Sequence, residues 1–174
     1  MAASVFSSIR ASAADGHCHN TYFRQEQLKN LHDILRKNGS DVRDAIRQDT
    51  GVSEAEATVE YSLALSTVKD HYAGLDPVKE LDDEYRIARG KDAEDRMEPV
   101  GVVYIEPNTG HTPFFSILTP VSASLAAGNC VVLKVSYLDL CLWLEEFEKL
   151  SLFLSLIIEW IVFLLFFEAF FKKD

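Results

Sequence analysis

Apolar residues recur at helical spacing in the first part of the chain. Leu28, Leu31 and Leu35 lie three or four positions apart, so they share one face of a helix. This pattern predicts a helix from about Thr21 to Lys37, and Asn38-Gly39 is a typical end for it. The leucine stripe is expected to face the core.

A second helix is predicted immediately after the first. Ser40 is its candidate cap, and Val42, Ala45 and Ile46 form its apolar face. Gly51 is expected to end it, because glycine readily adopts the left-handed conformation that closes many helices.

The third helix has the clearest start signal. Ser53 and Glu56 have the spacing of a capping box, in which each side chain accepts a hydrogen bond from the other residue's backbone amide. The helix is predicted to run to about Tyr72 and to end at Gly74, and Asp76-Pro77 is predicted to turn the chain. Its buried face is predicted to consist of Val59, Leu63 and Val68.

Further along, the pattern changes to short, continuous apolar runs. Residues 99–105 read PVGVVYI and residues 130–135 read CVVLKV, and both runs are typical of buried strands. Between them, Thr112-Pro113 is predicted to begin a helix, with the threonine as cap, that continues to Ala127 and bends at Pro120. The order of strand, helix and strand predicts two parallel strands joined by a right-handed crossover.

The predicted sheet also locates a candidate binding edge. In open α/β sheets, ligands bind beyond the carboxyl ends of the strands. In this chain those ends are followed by the loop 106–112 and by the segment after Lys134. We therefore expect these two places to form the binding edge.

Composition narrows the classes of partner. The 174-residue chain has a formal net charge of -10, whereas nucleic-acid binding needs a Lys/Arg surface, so no nucleic-acid partner is expected. The cysteines Cys18, Cys130 and Cys141 are odd in number, widely spaced and outside any metal-ligand pattern, which predicts neither a disulfide framework nor a metal site. A reducing compartment fits best, and Cys130 is expected to pack as a small apolar residue.

The two ends of the chain differ from its middle. Residues 1–20 are small and polar without a secretory signal, and we expect them to be disordered and the chain not to be secreted. Residues 137–174 contain no Gly or Pro, and 16 of the 22 residues from Leu150 to Phe171 are Leu, Ile, Val or Phe. A helix of that length spans roughly 33 Å, enough for a hydrocarbon core. This tail is therefore either a membrane anchor or the product of a shifted reading frame or retained intron.

Three stretches together resemble the aldehyde dehydrogenase family. They are EPVGVVYI at residues 98–105, the prolines Pro113 and Pro120, and AAGNCVVLK at residues 126–134. The upstream helices are also similar, so the resemblance covers roughly residues 20–136. It implies an α/β fold, a partial doubly wound domain over residues 21–136 with an N-terminal helical segment. The tail has no match in the family, and its composition predicts an apolar C-terminal helix.

The resemblance implies an activity and a cofactor. Family members oxidise an aldehyde to a carboxylic acid with NAD or NADP: a cysteine thiolate attacks the carbonyl, hydride passes to the nicotinamide, and a glutamate assists hydrolysis of the thioester. The family's catalytic cysteine and glutamate lie downstream of the matched stretch. We therefore expect this chain alone to be inactive. The resemblance also implies an aldehyde substrate and a homo-oligomer.

Four residues are implied as cofactor contacts. Lys134 matches the family lysine that contacts the adenosine ribose, and Ser136 still fits the pattern that follows. Ile105 and Pro107 fall in the strand-end loop that lines the cofactor. The match then fails, because Tyr137 stands where a ribose-binding glutamate is common.

The position of the family's oxyanion-binding asparagine has two candidates. Counting back from Pro113 without a gap places it at His111, whereas counting forward from Gly101 places it near Asn108. The counts differ because the loop carries one extra residue, and the ungapped count favours His111. An imidazole can donate a hydrogen bond in place of the amide, with a different reach and charge.

A second class of function remains open at this point. A non-catalytic, membrane-anchored interaction module derived from the same family would also explain a family segment joined to an apolar tail. The enzyme hypothesis and this alternative predict a cytoplasmic and a membrane-associated location, respectively.

Overall fold

The computed structural model describes residues 9–92, 96, 98–107 and 110–133, and the fold is built from helices with one small sheet. Residues 9–14 are helical and His17–His19 form a short 3-10 turn, whereas the sequence predicts disorder over residues 1–20. The following elements are α1 (Thr21–Lys37), α2 (Gly39–Thr50), α3 (Glu54–Ala73), α4 (Pro77–Ala88), β1 (Val102–Ile105), α5 (Pro113–Ala126) and β2 (Cys130–Leu133).

Helix α1 has the predicted bounds, and its leucine stripe is buried. Asn20 caps it, because its side-chain oxygen accepts hydrogen bonds from the amides of Tyr22 and Phe23 at 2.9 and 3.2 Å. The predicted cap of α2 is wrong. That helix begins at Gly39, and the hydroxyl of Ser40 donates to the Asp41 carboxylate instead of closing the helix end.

Helix α3 confirms the capping box and corrects the buried face. The Glu56 amide donates to the Ser53 hydroxyl at 3.3 Å, and the Ser53 amide donates to the Glu56 carboxylate at 2.9 Å. Of the predicted face only Val68 is buried, while Val59 and Leu63 are more than half exposed. The face that packs against α1 and α5 consists of Ala57, Glu60, Ala64 and Val68. Small side chains on this face let the neighbouring helices approach closely.

Asp76 and Pro77, where the chain is predicted to turn, lie at the junction of two helices and begin helix α4. The Asp76 carboxylate accepts from the amides of Val78 and Lys79 at 3.0 and 3.1 Å, and Pro77 occupies the first helical position. An acidic cap followed by proline is a regular helix start. The apolar pattern does not predict this helix, because the helix buries none of its residues and has no core-facing apolar stripe.

The two strands are parallel neighbours, as predicted, and are shorter than their apolar runs. Val102 pairs with Cys130 and Ile105 with Leu133. Helix α5 connects them and continues through Pro120 to Ala126. Thr112 is not the predicted side-chain cap: it has a left-handed backbone with φ of 56° and makes no cap hydrogen bond.

The strand β2 is buried on both faces, which explains its uninterrupted apolar sequence. Val131 and Leu133 join the main core, together with Ile105, α5 and the buried faces of α1, α2 and α3. Cys130 and Val132 face the other way and pack with Ile9 near the start of the described chain.

The apolar tail at residues 137–174, with its candidate membrane helix at 150–171, lies outside the described residues. Within the ranges that are described, no helix is both long enough and apolar enough to cross a membrane.

Candidate functional site

The carboxyl ends of β1 and β2 lie at one edge of the sheet, where the loop 106–112 leaves β1. Ile105 and Pro107 are buried, whereas Glu106 and His111 are exposed. The remaining predicted site residues, Asn108, Lys134 and Ser136, lie outside the described residues. At this edge, therefore, the two described cofactor candidates are buried, and His111 is exposed to solvent.

The loop is anchored by a buried carboxylate from another helix. Glu60 of α3 accepts a hydrogen bond from the Phe115 amide at 3.1 Å, in the first turn of α5. Thr112 does not cap that turn, and Pro113 has no amide hydrogen to be capped. Glu60 therefore performs the capping role from a distance of 55 residues in sequence.

The environment of Glu60 pulls its pKa in two directions. Burial raises the pKa of this carboxyl above its ordinary value, and the amides of Phe115 and Phe114 oppose that rise. A negative group in this place also balances the positive end of the helix dipole. The amino-terminal end of α5 is therefore already hydrogen-bonded to a carboxyl group of the chain itself.

Aromatic stacking holds the same turn against α3, and a hydrogen bond links this contact to α1. The rings of Tyr61 and Phe114 stack with centroids 6.4 Å apart, and the Tyr61 hydroxyl donates to the Leu35 carbonyl at 2.9 Å. Deeper in the helix pair, Nδ1 of His71 lies 2.8 Å from the hydroxyl oxygen of Ser122. These contacts fix α5, and with it the end of the loop, relative to α1 and α3.

The opposite edge of the sheet explains the Gly128-Asn129 pair. The Asn129 side chain accepts from the Gly101 amide at 2.9 Å, next to the backbone bond from the Cys130 amide to the Gly101 carbonyl at 2.8 Å. Gly128 has φ of 79°, and a Cβ on it would lie 2.8 Å from the Cys18 carbonyl oxygen. Glycine is thus required for both conformation and space, and asparagine extends the strand pairing.

Two cysteines meet at this amino-terminal edge. The Sγ atoms of Cys18 and Cys130 are 3.9 Å apart, although the residues are 112 positions apart in sequence. Cys130 is buried, in agreement with its predicted packing role, and Cys18 is partly exposed. Among the residues with described placement, no cluster of three or more His, Cys, Asp or Glu side chains has the arrangement of a metal site.

A cavity of about 600 Å³ lies between α3, α4 and the carboxyl end of α5. Its wall carries charges of both signs, and it includes Arg24, which donates to the Ala126 carbonyl at 2.6 Å and pairs with Glu80. Glu98 and Pro99, which precede β1, also line it. The cavity is thus on the amino-terminal side of the sheet and does not include the loop 106–112.

Comparison with known proteins decides the family. The model of the aldehyde dehydrogenase family matches residues 10–145. The chain belongs to the aldehyde dehydrogenase family. The match includes the strands β1 and β2, the helices α1 to α5 and the candidate binding edge.

Individual aldehyde dehydrogenases agree with this assignment. Aldehyde dehydrogenase family 3 member B1 of Mus musculus is 32% identical over 140 residues, covering 74% of this chain and 28% of that protein. Aldehyde dehydrogenase family 3 member H1 of Arabidopsis thaliana is 31% identical over 146 residues, covering 79% of this chain and 29% of that protein. The chain thus spans less than a third of the length of these relatives.

A solved structure supports the fold. The substrate-bound state of Staphylococcus aureus AldH superposes with a TM-score of 0.65 over 84% of this chain and 33% of that one. The sequence identity is 22%, so this likeness concerns the fold alone.

Sequence reasoning missed the residues that position the edge. Glu60 carries a detectable signal, because it is the one charged residue on a helical face otherwise made of Ala57, Ala64 and Val68. A buried carboxylate needs donors, and the uncapped turn of α5 supplies them. No comparable signal joins Cys18 to Cys130, since their proximity depends on the packing of the N-terminal segment.

Proposed function

We propose that this aldehyde dehydrogenase segment supplies the first strand–helix–strand unit of a cofactor-binding domain for NAD(P)-dependent oxidation of an aldehyde. The observation that carries the proposal is the parallel pair β1–β2, whose carboxyl ends meet at the loop 106–112. In such sheets this edge is the usual ligand site. On this view the sheet is the start of a doubly wound sheet, and other segments of the domain complete it.

The residues present fit the adenosine end of a dinucleotide and not its pyrophosphate. A helix amino terminus is a common phosphate site, but in α5 the Phe115 amide already donates to the Glu60 side chain and is not free for a phosphate. Ile105 and Pro107, at the start of the loop, are buried. We propose that Lys134, the residue that follows β2 in sequence, and Ser136 are contacts for the ribose. When bound, NAD(P) accepts the hydride of the aldehyde.

Neither described cysteine is suited to be the nucleophile of this reaction. Cys130 begins β2 and Cys18 lies against it, so both are at the sheet edge opposite the loop 106–112. A strand of four residues spans roughly 10 Å, which is too far for a thiolate to attack a carbonyl held at the other edge. We therefore propose that neither Cys18 nor Cys130 supports aldehyde turnover.

The ribose assignment is tested by binding rather than turnover. The full chain is titrated with NAD⁺, NADP⁺ and AMP, and binding is measured by calorimetry. All three are expected to bind, because they share the adenosine end. Lys134→Ala should weaken each about 10-fold or more, because a charge-assisted hydrogen bond is worth roughly 1.5–3 kcal/mol. Lys29→Ala is the matched control, since Lys29 is exposed on α1.

Two results would overturn this proposal. Equal affinities of the wild type and Lys134→Ala would remove Lys134 from the site. Binding of inorganic pyrophosphate that competes with NAD⁺, while AMP does not compete, would show that the chain holds the phosphates instead of the adenosine.

We also propose His111 as the donor that takes the place of the oxyanion-binding asparagine. Its imidazole is exposed at the candidate edge, and a preorganised N–H donor in that place stabilises developing negative charge on the substrate oxygen. Benzoate, a product-like carboxylate, should shift the His111 ring signals in an NMR titration and leave those of His32 on α1 unchanged. Unchanged His111 signals at saturating benzoate would remove it from this role.

A further inference from the structure

Two thiols lie side by side at the amino-terminal edge of the sheet, away from the proposed cofactor edge. The Sγ atoms of Cys18 and Cys130 are 3.9 Å apart, in a pocket formed with Ile9, Ala13 and Val102. A disulfide needs an S–S distance of about 2.05 Å, so the two sulfurs must approach by roughly 2 Å. Disulfide formation therefore requires a movement of the two sulfurs of about that size.

The backbone around Cys18 is held in place by specific contacts. Its carbonyl oxygen lies so close to Gly128 that a Cβ there would be 2.8 Å away. Arg24 of α1 donates to the carbonyl of His19, the next residue, at 3.2 Å. The 3-10 turn His17–His19 is therefore packed against the start of β2. This packing makes the two thiols neighbours in the folded chain.

The two thiols differ in exposure, which assigns them different roles. Cys18 is partly exposed and can meet a small oxidant, whereas Cys130 is buried behind it. We propose that Cys18 and Cys130 form a redox modification site, in which a hydroperoxide oxidises Cys18 and Cys130 resolves the product to a disulfide.

The chemistry balances with the hydroperoxide as the oxidant. The Cys18 thiolate attacks the terminal peroxide oxygen: an S–O bond forms, the O–O bond breaks, and the alkoxide leaves and takes up a proton. The Cys130 sulfur then attacks the sulfenic sulfur: an S–S bond forms, and hydroxide leaves as water with the thiol proton of Cys130. Two thiols and one hydroperoxide thus give one disulfide, one alcohol and one water.

The electrostatics of the pair favour this order of events. The hydrogen bond from the Cys130 thiol lowers the pKa of Cys18 to about 7, and the Arg24 guanidinium contributes in the same direction against the effect of burial. Contact with Cys18 and burial raise the pKa of Cys130. Glu80 of α4, which pairs with Arg24, is the acidic group behind that guanidinium. Of the two thiols, Cys18 is therefore the one that ionises more readily near neutral pH, and thiolates are the reactive form.

Peptide mapping tests the proposal directly. The full 174-residue chain carrying Cys141→Ser is treated with hydrogen peroxide at pH 7 and digested with trypsin without reduction. The expected product is a single disulfide joining the tryptic peptide 11–24, which contains Cys18, to the peptide 97–134, which contains Cys130. Because the link closes a loop of more than 100 residues, Tm should rise by roughly 5–10 °C and fall back on reduction.

The Cys130→Ala variant distinguishes a reactive thiol pair from two cysteines that are merely packed together. Cys130→Ala removes the hydrogen bond that stabilises the Cys18 thiolate, so alkylation of Cys18 at pH 7 should slow by about fivefold after allowance for its higher intrinsic nucleophilicity. Looser packing alone would expose Cys18 and accelerate alkylation. Faster alkylation in Cys130→Ala would overturn the proposal.

Two mapping results would also overturn it. One is Cys18 as a sulfinic acid, 32 Da heavier, with Cys130 still free to react after denaturation. The other is a Cys18–Cys130 link that forms equally fast in urea-unfolded protein, because the folded arrangement would then have no part in it. Neither result bears on cofactor binding, which is proposed at the other edge of the sheet.

Discussion

Replacing Glu60 tests how the candidate binding edge is held. In the folded chain the Glu60 carboxylate accepts from the Phe115 amide at 3.1 Å and caps α5. Glu60→Ala leaves the first amides of α5 without this partner, which removes a charged hydrogen bond worth roughly 1.5–3 kcal/mol. The same change also abolishes the cost of burying a carboxylate, so we expect a net loss of about 1–2 kcal/mol in the free energy of unfolding.

The pH dependence of this contribution has a definite sign. The pKa of Glu60 is raised in the folded state, so between the ordinary value near 4.5 and the raised value the folded chain binds more protons than the unfolded one. In that window the Glu60 term makes the free energy of unfolding fall as pH rises. Glu60→Gln, which keeps an acceptor oxygen but does not titrate, should abolish this term.

Urea unfolding at pH 4.5 and 7.5 measures both effects. Hydrogen exchange at the Phe115 amide reports the cap itself and should accelerate by about tenfold in Glu60→Ala, in line with a loss of about 1.4 kcal/mol. Glu84→Ala on α4 is the control, because Glu84 is exposed. If Glu60→Ala has wild-type stability and wild-type exchange at Phe115, Glu60 does not cap the helix and the loop is held in another way.

Two further predictions concern packing. Gly128→Ala should cost about 3 kcal/mol in urea unfolding, because its Cβ would lie 2.8 Å from the Cys18 carbonyl oxygen, whereas Gly51→Ala, with φ of 70° and open space around it, should cost about 1 kcal/mol. Equal costs would contradict the close approach at Cys18. Gln27 is fully buried, and neither of its side-chain polar atoms has a hydrogen-bond partner among the described residues. Gln27→Met should therefore raise the free energy of unfolding by about 1 kcal/mol, whereas Gln48→Met, at an exposed position, should leave it unchanged. A lower free energy of unfolding in Gln27→Met would show that the Gln27 amide has a hydrogen-bond partner.

Elements with local signals were predictable from the sequence. The leucine stripe of α1, the capping box of α3 and the parallel strand pair all depend on residues close in sequence, and all three are confirmed. The buried face of α3 was not predictable from hydrophobicity, because the close helix packing selects Ala57 and Ala64 over the larger Val59 and Leu63. Helix α4 was missed since it buries no residue, although its acidic cap and proline were visible.

The candidate site also contains features that the sequence predicts and features that it does not. The binding edge follows from the order of strand, helix and strand, which is a local pattern. The cap from Glu60, the approach of Cys18 to Gly128 and the Cys18–Cys130 pair join residues 55 or more positions apart. Such pairs arise from tertiary packing. Apart from the position of Glu60 on an otherwise apolar helical face, a single sequence carries no periodicity that marks them.

The most direct test of the proposed function is an NMR titration of the ¹⁵N-labelled full chain with NAD⁺. If the carboxyl edge of the sheet binds the adenosine end, the amide signals of Glu106, Gly110 and Leu133 should shift with a common dissociation constant, and those of Gly101 and Cys130 at the opposite edge should not. Shifts confined to Gly101 and Cys130, or to the cavity beside His71, would contradict the account, as would the absence of any shift at millimolar NAD⁺.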